Sequence, residues 1–211
     1  MLKGKGSKHF YDTLLNSTYN KLPCYDRWEQ VLNVQFTDND WKIFNIIANK
    51  STQCTDLRWL QYRIIHNILP TRKFLFKIKY IDSPLCCFCE LYPETIDHLF
   101  WHCEVINNIW KELENWIVNE LKIPLKFDMQ KVILGFRNKN NNPVNAIMLL
   151  VKQIIYNHSK RSVIPYIDHI KKDIIRYYDI TKCMYYSTCN NDKFHSFWSS
   201  LHILFQKYKE P

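Results

Sequence analysis

The sequence predicts a mainly α-helical fold: a helical domain organised around a CxxC…HxxxxC zinc knuckle, with a helical C-terminal extension. Three observations carry this expectation. Glycine occurs only at Gly4, Gly6 and Gly135, and tight β-hairpins generally need glycine. Apolar residues recur at three- and four-residue spacing in several stretches, the period of one helix face. Cys86, Cys87, Cys89, His98, His102 and Cys103 fall within eighteen residues, and two ligand pairs joined by a short loop are what a tetrahedral Zn²⁺ site needs.

In chain order, residues 1–40 read as a lead-in with short helices. Its beginning carries Gly4, Gly6, Phe10-Tyr11 and Leu14-Leu15. A short helix is expected over 26–34, carrying Trp28 and Leu32. Residues 41–123 form the expected zinc-binding domain. Thr37-Asp38-Asn39-Asp40 is a natural N-cap cluster, followed at helical spacing by Trp41, Phe44 and Ile47. After a polar connection over 49–55, a helix is expected over 57–69, with Leu57, Leu60, Ile64 and Ile68 on its apolar stripe. Trp59, Tyr62, Arg63 and His66 fall on its other side, and Pro70 stops it. Thr71 is positioned to cap a helix over 72–79, with Phe74, Leu75 and Ile78 inward. Pro84 stiffens the approach to the knuckle, and Thr95 can cap the short helix that carries His98. A long amphipathic helix follows, with Ile106, Ile109, Trp110, Leu113, Ile117 and Leu121 on one face.

Residues 124–142 read as a linker, and 143–211 as a helical tail. There Asn142-Pro143 resembles an N-cap with proline at the first helical position. Ile147, Leu150, Val151 and Ile154 form a stripe, and Pro165 opens a helix through Ile167, Ile170 and Ile174. A loop is expected over 181–191, and Phe194, Trp198, Leu201 and Phe205 make the last stripe.

Cys86 and Cys89 form the first ligand pair, His98 and Cys103 the second. His98 and His102, four apart, would share a helix face and offer a site of two cysteines and two histidines instead. The Cys103 thiolate is the softer ligand and suits zinc, which favours Cys86, Cys89, His98 and Cys103. On an ideal helix His98 and Cys103 stand about 140° apart, so both can ligate only if the helix ends or distorts there. Cys87 is the spare thiol, expected to point away. Cys24, Cys54, Cys183 and Cys189 are scattered and read as free thiols.

The 211 residues carry 29 Lys+Arg against 20 Asp+Glu, a formal charge of +9, which suits a polyanionic partner. Arg58, Arg63, His66, Arg72, Lys73, Lys77 and Lys79 crowd the stretch before the knuckle as candidate nucleic-acid contacts. Trp59, Tyr62 and Trp101 could stack on unpaired bases. The opening residues have no apolar signal region, and the CxxC pair argues for metal in a reducing compartment. The expectation is an intracellular protein of nucleus or cytoplasm. The best apolar run, 146–151, is stopped by Lys152 and Gln153, so no membrane span is expected.

These residues also resemble a known family. Trp41, Phe44, Leu57-Arg58-Trp59-Leu60-Gln61-Tyr62-Arg63-Ile64-Ile65-His66, Leu69-Pro70-Thr71 and Phe74-Leu75 carry the likeness. Ser83-Pro84-Leu85-Cys86, Cys89, Glu94-Thr95, His98-Leu99-Phe100-Trp101 and Cys103 continue it, with Trp110 and Trp116 downstream. The stretch is similar to the zinc-binding domain near the C-terminus of reverse transcriptases from non-LTR, LINE-type retrotransposons. The likeness is dense over 41–117 and weak before it, and the segment from Ile133-Leu134-Gly135 to Tyr156 resembles the tail that follows there. In the family pattern the ligands fall on Cys86, Cys89, His98 and Cys103, while Cys87 and His102 occupy variable positions.

The resemblance implies a parent polyprotein with endonuclease and polymerase, and RNA or an RNA–DNA hybrid as partner. A polymerase needs paired aspartates to hold two Mg²⁺ ions. Asp38-Asn39-Asp40 reads as a cap and Asp179 has no obvious partner carboxylate, so no catalytic residue is expected. The chain reads as a C-terminal piece without enzymatic activity of its own. Two functions compete: a zinc-binding nucleic-acid-binding module, or a scaffold that packs against a polymerase domain. A sequence-reading zinc finger is disfavoured because only eight residues separate Cys89 from His98. A metallohydrolase built on His98 and His102 lacks the glutamate directly after the first histidine.

Overall fold

A computed structural model describes residues 22–122 and 124–206. The expectations for Phe10-Tyr11 and Leu14-Leu15 lie outside the described residues. The chain divides into two units, the second beginning at Phe36. In the first, helix α1 spans Pro23–Leu32, starting three residues before the expected 26. Its proline sits in the first turn, where no hydrogen bond is lost. Asn33, in the left-handed conformation, ends it, and Val34 N–H bonds back to Glu29 C=O at 3.1 Å.

The second unit is helical, and among the described residues its one piece of β-pairing is a single bridge between Leu85 and Pro93. Its helices are α2 (Asp38–Ser51), α3 (Thr55–Ile65), α4 (Arg72–Lys77), α5 (Glu104–Leu121), α6 (Met129–Leu134), α7 (Asn142–Arg161), α8 (Ile167–Ser187), α9 (Asn191–Trp198) and α10 (His202–Gln206). Among the described residues no helix is long and apolar enough to cross a membrane.

Helix α2 opens with the expected cap: Thr37 Oγ1 accepts from Asp40 N–H at 3.2 Å, and Asp40 accepts from Thr37 N–H at 3.0 Å. Trp41, Phe44 and Ile47 are buried as their spacing implies. Helix α3 corrects the expected span of 57–69. It ends at Ile65 because Asn67 adopts φ 55°, which lets Ile68 N–H reach Arg63 C=O at 2.9 Å. Asparagine tolerates this left-handed turn, so Asn67 stops the helix before Pro70 can. Ile68 is therefore exposed and leaves the stripe of Leu57, Leu60 and Ile64.

Helix α4 is also shorter than expected, because Lys79 at φ 60° takes the same terminating role. Thr71 makes no side-chain cap. Glu94 caps instead, its Oε1 accepting from Arg72 N–H at 2.9 Å across 22 residues. Phe74 and Ile78, expected inward, are exposed, since α4 rests on the knuckle through its backbone rather than through an apolar face.

Residues 124–142 hold α6, whose Val132, Ile133 and Leu134 are buried. Gly135 follows at φ 96°, where a Cβ would stand 3.0 Å from Ile47 Cγ2 and 3.2 Å from Asn145 Oδ1. The buried Asn145 amide then clamps Phe136, accepting from its N–H at 2.8 Å and donating to its C=O at 3.0 Å.

Helix α7 packs against α2, α3, α8 and the knuckle. Residues Pro143 through Leu149 are all buried, so its first half has no solvent face. The expected stripe shifts: Ile155 rather than Ile154 is buried, and Lys152 lies wholly inside. Asn141 rather than Asn142 is the N-cap position, since Asn142 is already helical. Helix α8 runs through most of the loop expected over 181–191, its apolar spacing continuing from Ile174 to Tyr178. Phe194, Trp198, Leu201 and Phe205 are buried as expected, with Tyr178 stacked on Phe205 at 4.0 Å between centroids.

Candidate metal centre and basic face

The knuckle is built by local backbone bonds. Cys86 N–H donates to Tyr92 C=O at 2.8 Å, and Glu90 N–H closes back to Cys86 C=O at 2.8 Å. Glu90 takes φ 56° at the turn. This fold-back brings the Cys86 and Cys89 sulfurs to one side. The second pair comes from a wide helical turn, His98–His102. Thr95 Oγ1 caps its start by accepting from His98 N–H at 3.2 Å. Cys103 N–H donates to His98 C=O at 2.8 Å, five residues back. That is π-helical bonding, which places more residues in a turn than an α-helix does. The distortion that two ligands five apart require is thus present. Trp110 Nε1 holds the turn from α5, donating to Phe100 C=O at 2.7 Å.

The ligand atoms of Cys86, Cys89, His98 and Cys103 all lie within 4.8 Å of one another. The Cys86 and Cys103 sulfurs are 3.9 Å apart, and Cys89 Sγ is 3.3 Å from His98 Nε2. Ligands bonded to one tetrahedral zinc stand about 3.5–3.8 Å apart, from Zn–S near 2.3 Å and Zn–N near 2.0–2.1 Å. The donor set and its spacing fit a metal ion. Cys87 turns elsewhere, its sulfur 3.5 Å from Ser159 C=O. His102 is exposed, outside this cluster.

Protons and metal compete for these donors. The Cys103 sulfur beside it, and then burial, push the Cys86 thiol up to about 12, while the same contact lowers Cys103. The Cys86 thiol is thus the donor and the Cys103 sulfur the acceptor of their 3.9 Å contact. Contact with Cys86, and less strongly with Cys89, raises His98. Backbone amides of Phe88 and Cys89 favour the Cys86 thiolate, and those of Val105 and Ile106 favour that of Cys103 at the N-terminus of α5. A metal ion bound by these sulfurs would displace their thiol protons.

Residues 24–110 match the family described as zinc-binding in reverse transcriptase. The matched zinc-binding segment contains all four clustered donors and ends at Trp110, the residue that braces the π turn. It also contains every basic residue singled out before the knuckle. No curated protein matches the chain.

Those basic residues are not equivalent. Arg58 donates through Nε to Thr52 C=O at 2.7 Å and through Nη2 to Asn49 C=O at 3.4 Å, holding the end of α2. The Arg63 guanidinium lies 5.7 Å from the Tyr156 ring centre. Lys160 Nζ lies 4.2 Å from the same ring. His66 packs on Tyr62 at 4.1 Å, and burial lowers its pKa, so it presents a neutral ring at pH 7. Lys73 and Lys77 on α4 are exposed, as is Lys79 just beyond its end, and Arg72 is half-buried. Among the described residues, none of Arg63, Arg72, Lys73, Lys77, Lys79 and Lys160 forms an ion pair. By contrast Arg137, Lys131, Lys171 and Arg176 are each paired with an aspartate. Sequence reasoning missed Lys160. Its only signal was a basic last turn of α7, which reads as complementing the helix dipole.

Proposed function

We propose that the chain is a non-catalytic, zinc-stabilised module that binds nucleic acid, as part of a reverse transcriptase of the non-LTR, LINE type. Zinc is held by Cys86, Cys89, His98 and Cys103. Three thiolates and an imidazole complete a tetrahedron and leave no open position for substrate, the pattern of a structural site. The observation that carries nucleic-acid binding is the meeting of Arg63 and Lys160 over one Tyr156 ring without an ion-paired carboxylate. Two like charges held together raise each other's energy, as the lowering of Lys160 by burial and then by Arg63 reflects. A phosphate between them relieves that cost. RNA or an RNA–DNA hybrid is the expected partner, inside the cell, where thiolates stay reduced.

The test is RNA affinity of the zinc-loaded chain as salt is raised. Four phosphate contacts on a single strand give a log–log slope of about −3. Replacing Arg63, Arg72, Lys73 and Lys77 by Gln flattens the slope while zinc and helix content persist. An unchanged slope would leave the face as solvated surface.

A second reading has its own support. Ile68, Phe74, Phe76, Ile78, Tyr80 and Leu91 are exposed around α4 and the knuckle. Exposed apolar clusters mark protein interfaces, and a polymerase domain of the parent protein is the matching partner. Absence of RNA binding even at low salt would favour this scaffold role.

A further inference from the structure

Trp59 and Tyr62 lie on the solvent side of α3, and with half-buried His66 at its C-terminal cap they form a ladder of rings. Trp59 and Tyr62 are 55% and 45% exposed, yet they stack on each other at 5.1 Å with their planes 8° apart. His66 continues the ladder from Tyr62, its ring tilted by 37°. Large aromatic rings left in water need an explanation, because burying them is strongly favourable.

A cleft of about 350 Å³ opens beside this ladder, between α2 and α3. This volume sits at the small end of the range for organic ligands, about 300–1,000 Å³. Buried Ala48 and Ile65 give it an apolar base, and Asn45, Asn49, Trp59 and Tyr62 line its sides. The Gln61 amide also borders it but is committed, donating to Ile133 C=O at 2.8 Å and accepting from Lys152. The exposed Asn49 amide is not committed: among the described residues its side chain has no hydrogen-bond partner. An amide offers a donor and an acceptor together, which suits the edge of a nucleobase. Arg58 is held at the same cleft through Nε and Nη2, so its Nη1 remains for a phosphate.

We propose that this cleft takes one unpaired base of a single-stranded nucleic acid, stacked on the Trp59–Tyr62 ladder with Asn49 at its edge. The proposal rests on the nucleic-acid reading above and deepens it from charge to strand type. Flat rings and one adaptable amide accept any base, so the site selects unpaired over paired strands rather than a sequence. A duplex, whose bases are stacked on each other, cannot offer a face to the ladder.

The experiment compares zinc-loaded wild type with the Trp59→Ala/Tyr62→Ala double variant. Both side chains are exposed, so zinc content and helicity serve as controls for folding. The probes are a single-stranded RNA, an abasic strand of equal length and charge, and the corresponding duplex, measured by fluorescence anisotropy. Wild type should bind the RNA at least about tenfold more tightly than the abasic strand, as base–aromatic stacking allows. The double variant should lose that preference and keep the salt slope. Equal wild-type affinity for RNA and abasic strand, with a normal salt slope, would overturn the cleft proposal and leave the basic face standing. Preference for the duplex would overturn it in the same way. No binding of any probe would overturn both.

Discussion

Glu94 and Ser159 lie 65 positions apart and share a 2.8 Å hydrogen bond between buried side chains. The other Glu94 oxygen accepts from Arg72 N–H at 2.9 Å, and its backbone N–H donates to Pro84 C=O at 2.8 Å. One carboxylate thus joins the knuckle, the start of α4 and the last turn of α7. Glu94→Ala strands the Ser159 hydroxyl and the Arg72 amide, and should cost about 3 kcal/mol by the usual penalty for buried unsatisfied groups. Glu94→Gln, which keeps the shape, should cost less. Urea denaturation of the zinc-loaded chain measures both, and hydrogen exchange should rise first over 72–77. An alanine variant as stable as wild type would refute the joining role.

The second prediction separates the clustered donors from their neighbours. Cys86→Ser, Cys89→Ser, Cys103→Ser and His98→Ala should each lose zinc by metal analysis, while Cys87→Ser and His102→Ala keep it. Zinc retained in Cys103→Ser but lost in His102→Ala would move the fourth ligand. Chelation should loosen 86–103 first, since structural zinc supplies roughly 10–16 kcal/mol of apparent binding free energy to such sites.

Lys152 is wholly buried, with Gln61 Oε1 at 2.5 Å, and burial brings its pKa down to about 7. Between pH 7 and the ordinary lysine range the unfolded chain binds the proton and the folded chain does not. The Lys152 contribution to stability therefore rises with pH across that window, by at most about 1.4 kcal/mol per unit, and is flat below it. Lys152→Met removes this dependence. Denaturation of wild type and variant from pH 6 to 10 reads it as their difference, which should favour the variant most at the acid end. A difference that does not change with pH would mean the amine finds water in the folded chain.

Gly135 stands at φ 96° between Ile47 and Asn145. Gly135→Ala should destabilise the chain by about 1–3 kcal/mol from backbone strain alone, with added cost from the 3.0 Å approach to Ile47. Thermal denaturation tests this. An alanine variant with unchanged stability would mean that Ile47 and the Asn145 clamp on Phe136 yield freely.

Features that depend on neighbours in sequence were legible before the fold. The Thr37 and Thr95 caps, the apolar faces of α2 and α5, and the pairing of Cys86 with Cys89 need only contacts a few residues away, and residue type encodes those. Local reading failed where a left-handed asparagine or lysine outran a more visible signal, as when Asn67 ended α3 ahead of Pro70. It left Cys103 and His102 open because the choice turns on one backbone bond, Cys103 N–H to His98 C=O, that widens the helix by one residue. Tertiary structure alone decided the rest. Lys152 reads as a surface lysine until α3 and α7 close over it with Gln61 as its acceptor. Lys160 reads as a dipole partner until α7 brings it to the Tyr156 ring that Arg63 approaches from α3. Helix periodicity says which side of each segment is apolar. It does not say which helix that side will meet, and burial, capping from a distance and the meeting of like charges all follow from that encounter.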